Sequence, residues 1–289
     1  MNTLRMGVAV ALFGLCAAGI GTPLQAEEVG GAVTKYVRFK VADRVVYGIV
    51  EGERVRELSG DLFQLWEKTD ITHPLNKVTL LVPTTPTKVV ALALNYRSHL
   101  GERVPSKDPQ AFFKVPSSLI RHEAAIQLPT ENVHYEGELV LVIGKRAKDV
   151  DEADALDYVL GVTCGNDVSA RDWQNNDIQW WRAKGSDTFG PCGPFIVSGL
   201  NYDNLNLELR VNGKPRQQTN TNLLIHDTAK IVSFLSKHVT LEPGDLIFTG
   251  TPGTTQALHP GDVVEVEIQG VGVLKNNVVR KDRWKENEP

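Results

Sequence analysis

The stretch His134-Tyr135-Glu136-Gly137-Glu138-Leu139-Val140-Leu141-Val142-Ile143 carries two carboxylates at the head of an apolar run. The run reads as a strand from Val133 to Ile143. On a strand alternate side chains share one face, so Glu136 and Glu138 point the same way. Their Cα atoms then lie roughly 6.6 Å apart. Two like charges this close repel unless they share a cation. Hard carboxylate oxygens suit magnesium, manganese or calcium rather than zinc. Taken alone, the pair also fits a solvated acidic face.

The neighbouring stretches add to this pair. Tyr158 to Thr163 reads as a strand that runs into Gly165-Asn166-Asp167. A carboxylate at a strand end can reach a site at the sheet's edge. Arg171 and Gln174 follow, three residues apart, and share a face on a helical turn. They are candidate carboxylate binders, since the arginine fork matches a carboxylate. The alternative is structural pairing with Asp172 or Asp177. Lys184 is followed by Gly185 and Gly190, where the backbone can approach a ligand. Upstream, the apolar strand Val89 to Leu94 runs into Asn95-Tyr96, and His99 and Glu102 follow at a spacing that shares a helix face.

The rest of the chain punctuates these segments. Tyr36 to Leu58 alternates apolar and polar residues around Glu51-Gly52-Glu53 and reads as a small antiparallel unit. Pro83 and Pro86 mark a boundary. Leu205 to Val211 meets Asn212-Gly213, a tight-hairpin signal. His226 to His238 reads as a helix; Leu246–Phe248, Val263–Ile268 and Val271–Val278 read as strands. The pattern predicts a mixed α/β, β-rich fold with a rolled sheet. Residues 27–84 are expected to form a small N-terminal domain and residues 85–289 a catalytic domain.

Taken in order, four segments resemble motifs of the fumarylacetoacetate hydrolase superfamily. They are His-Tyr-Glu-Gly-Glu at 134–138, Asn-Asp-Val-Ser-Ala-Arg-Asp at 166–172, Asp-Thr-Phe-Gly-Pro at 187–191 and Thr-Gly-Thr-Pro at 249–252. The resemblance covers Lys88 to Val279, and Tyr36 to Leu58 resembles the small N-terminal domain of many bacterial members. It implies a mixed β-sandwich roll, a homodimer, and magnesium or manganese on Glu136, Glu138 and Asp167. It also implies that His99 and Glu102 form a pair that activates water, that Lys184 meets substrate oxygens, and that Thr251 contacts substrate from the far side of the pocket.

The implied substrates are 2-oxo acids. A hard dication would chelate the carboxylate and 2-oxo oxygens and withdraw electrons, and Lys184 would help to stabilise enolate charge. Water activated by His99 and Glu102 gives carbon–carbon bond hydrolysis of an acylpyruvate-like diketo acid, the leading expectation. Proton transfer or loss of carbon dioxide gives the alternative, an isomerase or decarboxylase acting on 5-carboxymethyl-2-hydroxymuconate-type acids or oxaloacetate. A non-catalytic exported binding protein is a third reading, which the presence of all three metal ligands disfavours.

Composition limits the remaining classes. The chain has 289 residues, 42% hydrophobic and 23% charged, with net charge -4. No basic stripe is present, so nucleic acid is excluded as a partner. Arg5, an apolar run from Gly7 to Ile20 and Ala26 have the order of a secretory signal. The expectation is cleavage after Ala26, a periplasmic mature protein, and no stable membrane span after processing. Cys164 and Cys192 then remain, either paired or as buried free thiols.

Overall fold

The computed structural model describes residues 32–281. The expected export signal, at residues 1–26, lies outside the described residues. Among those described, no helix is long and apolar enough to cross a membrane.

The strand Gly137–Ile143 is buried along its whole length. Leu139, Leu141 and Ile143 enter one core, while Val140 and Val142 enter another on the opposite face. That explains the unbroken apolar run, because a strand covered on both faces has no solvent side. Each such side chain contributes roughly 1.5–3 kcal/mol by leaving water.

Around this strand a large sheet runs in the order Trp66–Pro74, Arg54–Gly60, Arg44–Glu51, Thr34–Val41, Gly190–Ser198, Val159–Asn166, Gly137–Ile143, Leu246–Phe248, Val89–Ala93, Gln110–Lys114. Along this path the pairing is antiparallel except between Leu246–Phe248 and Val89–Ala93. The N-terminal antiparallel unit therefore extends the same sheet, through Thr34–Val41 against Gly190–Ser198. The boundary expected at residue 84 falls in the segment between Thr79–Leu80 and Val89–Ala93.

A second sheet runs Lys214–Asn220, Asn206–Val211, Val263–Ile268, Gly272–Arg280, Ala125–Leu128. Leu207, Leu209, Val264 and Val266 from this sheet meet Leu139, Leu141 and Val162 from the first in one core. Ile231, Val232 and Leu235 of the helix Thr228–His238 close that core. Asp227 caps this helix by accepting from Lys230 N at 2.8 Å. The cap explains why the helix begins two residues beyond the expected His226. Asn212 and Gly213 both have positive φ, 54° and 72°, as a two-residue hairpin of this twist requires.

The strand expected from Val133 to Ile143 is broken into Val133–His134 and Gly137–Ile143. The break arises because the Asn166 side chain accepts from Glu136 N at 2.8 Å and Asp167 N donates to Glu136 O at 2.8 Å. Glu136 thus sits in a connection and not on a strand. The cysteines are free. Cys164 is opposite Gly193 and Cys192 is opposite Gly165 on adjacent strands, so the two thiols enter cores on opposite sheet faces.

Candidate metal centre and active site

Glu136, Glu138 and Asp167 converge where Gly137–Ile143 and Val159–Asn166 end side by side. Each offers one oxygen, and these oxygens lie within 4.8 Å of one another. All three side chains are buried. Close packing beneath them depends on two glycines. A Cβ on Gly165 would lie 2.4 Å from Val140 and 2.5 Å from the Phe248 ring. Gly250 has φ +103°, and its N–H donates to Glu138 Oε2 at 2.7 Å.

The three carboxylates differ in their partners. Lys184 Nζ donates to Glu136 Oε2 at 2.5 Å and to Asp167 Oδ2 at 2.7 Å. Arg171 Nη2 donates to Glu136 Oε1 at 2.5 Å. Burial opposes the charge on Glu136, but Lys184, Arg171 and His99 outweigh it and hold the carboxyl well below the usual range. Glu138 lacks such cations and has the Gly250 amide as its hydrogen-bond donor. Burial, followed by the charges of Asp167 and Glu136, pushes it well above the usual carboxylate range. Three carboxyl groups crowded together, one of them held without its own counter-ion, fit a hard divalent cation, which would favour the charged form of Glu138.

Sequence reasoning missed Lys114. Its ammonium is buried at the end of Gln110–Lys114 and donates to Asp167 Oδ1 at 2.6 Å, to Phe189 O at 3.0 Å and to Lys184 O. Burial pushes the Lys114 ammonium down, despite Asp167. For Lys184 the balance is reversed: burial is outweighed by Asp167 and Glu136, and the ammonium is held above its ordinary value.

A cavity of about 300 Å³ opens onto these groups. His99, Arg103, Glu136, Glu138, Arg171, Gln174, Trp180, Lys184 and Thr251 line it. The helical turn Arg171–Asn176 joins Arg171 to Gln174 as expected, with Nη1 donating to Oε1 at 2.6 Å. Neither Asp172 nor Asp177 takes Arg171: Asp172 accepts from Asn132, and Asp177 pairs with Arg182. Thr251 donates to Gly137 O at 3.0 Å and accepts from Gln217 Nε2 at 2.8 Å. Arg103 and Gln217 were also not legible as site residues, since neither belongs to a motif.

His99 reaches the cavity but is not joined to Glu102. Its Nδ1 lies 2.6 Å from Gly253 O, and its Nε2 lies 3.8 Å from Glu136 Oε1. A carbonyl only accepts, so Nδ1 carries a proton, and in the neutral ring the lone pair is on Nε2. Glu102 is exposed and makes no hydrogen bond or ion pair to His99. The structure therefore does not bring the two members of the expected dyad together. The helix Arg97–Leu100 ends at Gly101, which places Glu102 beyond the turn that would align it with His99. Gly253 N also donates to Ser98 Oγ at 3.0 Å, so both backbone groups of Gly253 latch onto this short helix.

Comparison with known proteins accords with this geometry. Residues 88–279 match the model of the fumarylacetoacetate (FAA) hydrolase C-terminal family, and residues 34–83 match an Rv2993c-like N-terminal model. The structure of a 2-hydroxyhepta-2,4-diene-1,7-dioate isomerase from Mycobacterium marinum is similar at TM-score 0.81 and 42% identity, covering 86% of this chain and all (100%) of that one. An oxaloacetate tautomerase, mitochondrial fahd2 of Xenopus laevis, is 41% identical over 221 residues, 71% of this chain and 69% of the relative. A maleylpyruvate hydrolase from Sphingobium sp. SYK-6, solved with manganese(II) and pyruvate, is similar at TM-score 0.72 and 27% identity, covering 86% of this chain and 100% of the other.

Proposed function

This chain belongs to the fumarylacetoacetate hydrolase family, and on that premise we propose that it is a metal-dependent enzyme that moves a proton at C3 of a 2-oxo acid, as a tautomerase or isomerase. The observation that carries this reading is His99, held by Gly253 with Nε2 facing the carboxylate cluster, 3.8 Å from Glu136 Oε1, and not joined to Glu102. One base suffices to shift a proton. Hydrolysis also needs an activated water, which was the task expected of His99 and Glu102 together.

Glu136, Glu138 and Asp167 would hold the cation, magnesium or manganese. When bound it would polarise the carboxylate and 2-oxo oxygens of the acid and favour the enolate. Arg171, oriented by Gln174 and Thr255 at 2.6 and 2.8 Å, presents a guanidinium to the acid group. His99 Nε2 removes the C3 proton, the electron pair of that bond forms the C2–C3 double bond, and the carbonyl π pair moves onto the oxygen. Protonation of that oxygen gives the enol tautomer, the reverse sequence returns the keto form, and return of the proton further along a conjugated chain gives isomerisation. Lys184 keeps its ammonium beside the developing oxyanion. Thr251 lines the same cavity, held by Gly137 and Gln217.

The test is product analysis with magnesium present. The enol absorbance of oxaloacetate and the double-bond position of 5-carboxymethyl-2-hydroxymuconate are followed alongside cleavage of acetylpyruvate. Rapid proton shifts with little acetate release support the reading. Stoichiometric acetate and pyruvate from acetylpyruvate, with no acceleration of tautomerisation, would restore the hydrolase.

A further inference from the structure

Three cations line the cavity: Lys184, Arg171 and Arg103. Two of them are committed. Lys184 holds Glu136 and Asp167, and Arg171 holds Glu136, Gln174 and Thr255. Arg103 differs, since among the described residues it forms no ion pair with any carboxylate. Its Nε donates to Leu100 O at 3.1 Å, and its own carbonyl accepts from Arg97 at 3.3 Å. These bonds anchor both its side chain and its backbone to the turn that carries His99, while its two Nη groups keep their donors.

An arginine left without a counter-ion at the mouth of an acid-binding cavity is a ready carboxylate receptor. Its fork gives two parallel donors, and the anchored Nε lowers the entropy lost when it closes on an anion. The triad and Arg171 already provide for the 2-oxo acid end. We infer that Arg103 binds a second carboxylate at the far end of the substrate, so that the enzyme selects 2-oxo dicarboxylates over monocarboxylates. This deepens the proton-shift reading of the same site and rests on it. It also gives the His99 turn a reason to hold its place, because substrate charge would tie that turn down over the cavity.

The test separates the two ideas by measuring binding apart from turnover. The binding probes are 3,3-difluoro-oxaloacetate, which has no C3 proton to lose, and its 4-methyl ester. Calorimetry on the magnesium-loaded protein gives Kd for each. Wild type should bind the diacid about 10- to 100-fold more tightly than the ester, the worth of one charge-assisted hydrogen-bonded pair. Arg103→Met should bring that ratio close to unity mainly by weakening the diacid, and Arg103→Lys should keep part of it. An unchanged ratio in Arg103→Met, or equal weakening of both ligands, would overturn the inference. Turnover of unfluorinated oxaloacetate by wild type is measured in parallel. Its absence would count against the proton-shift reading, while the Kd ratio still decides the role of Arg103.

Discussion

Glu138→Gln separates a metal ligand from a structural carboxylate. The side chain is buried, accepts from Gly250 N at 2.7 Å, and shares its surroundings with Glu136 and Asp167. Glutamine keeps the shape and can keep the Gly250 bond through its own oxygen. It replaces a buried carboxyl group, whose charge Asp167 and Glu136 oppose, with a neutral amide, so without metal the variant should be at least as stable as wild type. With metal the order reverses. A ligand that binds only the folded state at 100 times its Kd adds about 2.7 kcal/mol. For a chain of this size that is roughly a 5–10 °C rise in Tm. Calorimetric melting of both proteins, in chelator and in excess magnesium or manganese, measures this directly. The expected result is a metal-dependent rise in wild type that Glu138→Gln loses. A variant that melts far below wild type in chelator, or rises equally with metal, would refute the argument.

Other outcomes follow from the same geometry. His99→Ala should lose roughly 10²–10⁴-fold in the proton-shift rate, the usual worth of a general base, whereas Glu102→Gln should change it little; stopped-flow tautomerisation assays compare them. Cys164 is pushed up to about 12 by burial, and burial raises Cys192 as well; a thiol reagent at neutral pH should label neither in the folded protein and both in denaturant. Burial of Glu57 is outweighed by Arg44 and His73, which hold its carboxyl below the ordinary value. Its stabilising effect is therefore present above the unfolded carboxylate range and lost as pH falls through the depressed folded value. Urea melts should show Glu57→Gln less stable than wild type near neutrality, with the gap closing in acid.

The parts of the fold legible in the sequence are those where one physical signal dominates. The continuous apolar run into Ile143, the Asn212-Gly213 turn and the amphipathic stretch before His238 each have a local cause, and each appears where expected. Strands such as Gly190–Ser198 and Gln110–Lys114 were not legible, because Gly, Pro and Cys or a short mixed run give no period of two. Their pairing is decided by neighbours distant in the chain. The break at Glu136 has the same origin, since the Asn166 amide that causes it lies 30 positions away. The three carboxylates were legible as spacing and motif. Lys114 was not: its partners Asp167, Phe189 and Lys184 meet only in the folded chain. The His99–Glu102 pairing had the correct spacing but lacked the helix to use it, as the turn stops at Leu100.

The proposed proton transfer at C3 of a 2-oxo acid requires a divalent cation on Glu136, Glu138 and Asp167. The most direct measurement titrates manganese into chelator-stripped protein. Bound metal is counted by electron paramagnetic resonance while deuterium exchange at C3 of a 2-oxo acid is followed by nuclear magnetic resonance. The expected result is negligible exchange in the stripped protein and a rate that rises in proportion to bound manganese, saturating at one ion per chain. Full exchange in the stripped protein, or one tightly bound ion with no gain in exchange, would contradict it.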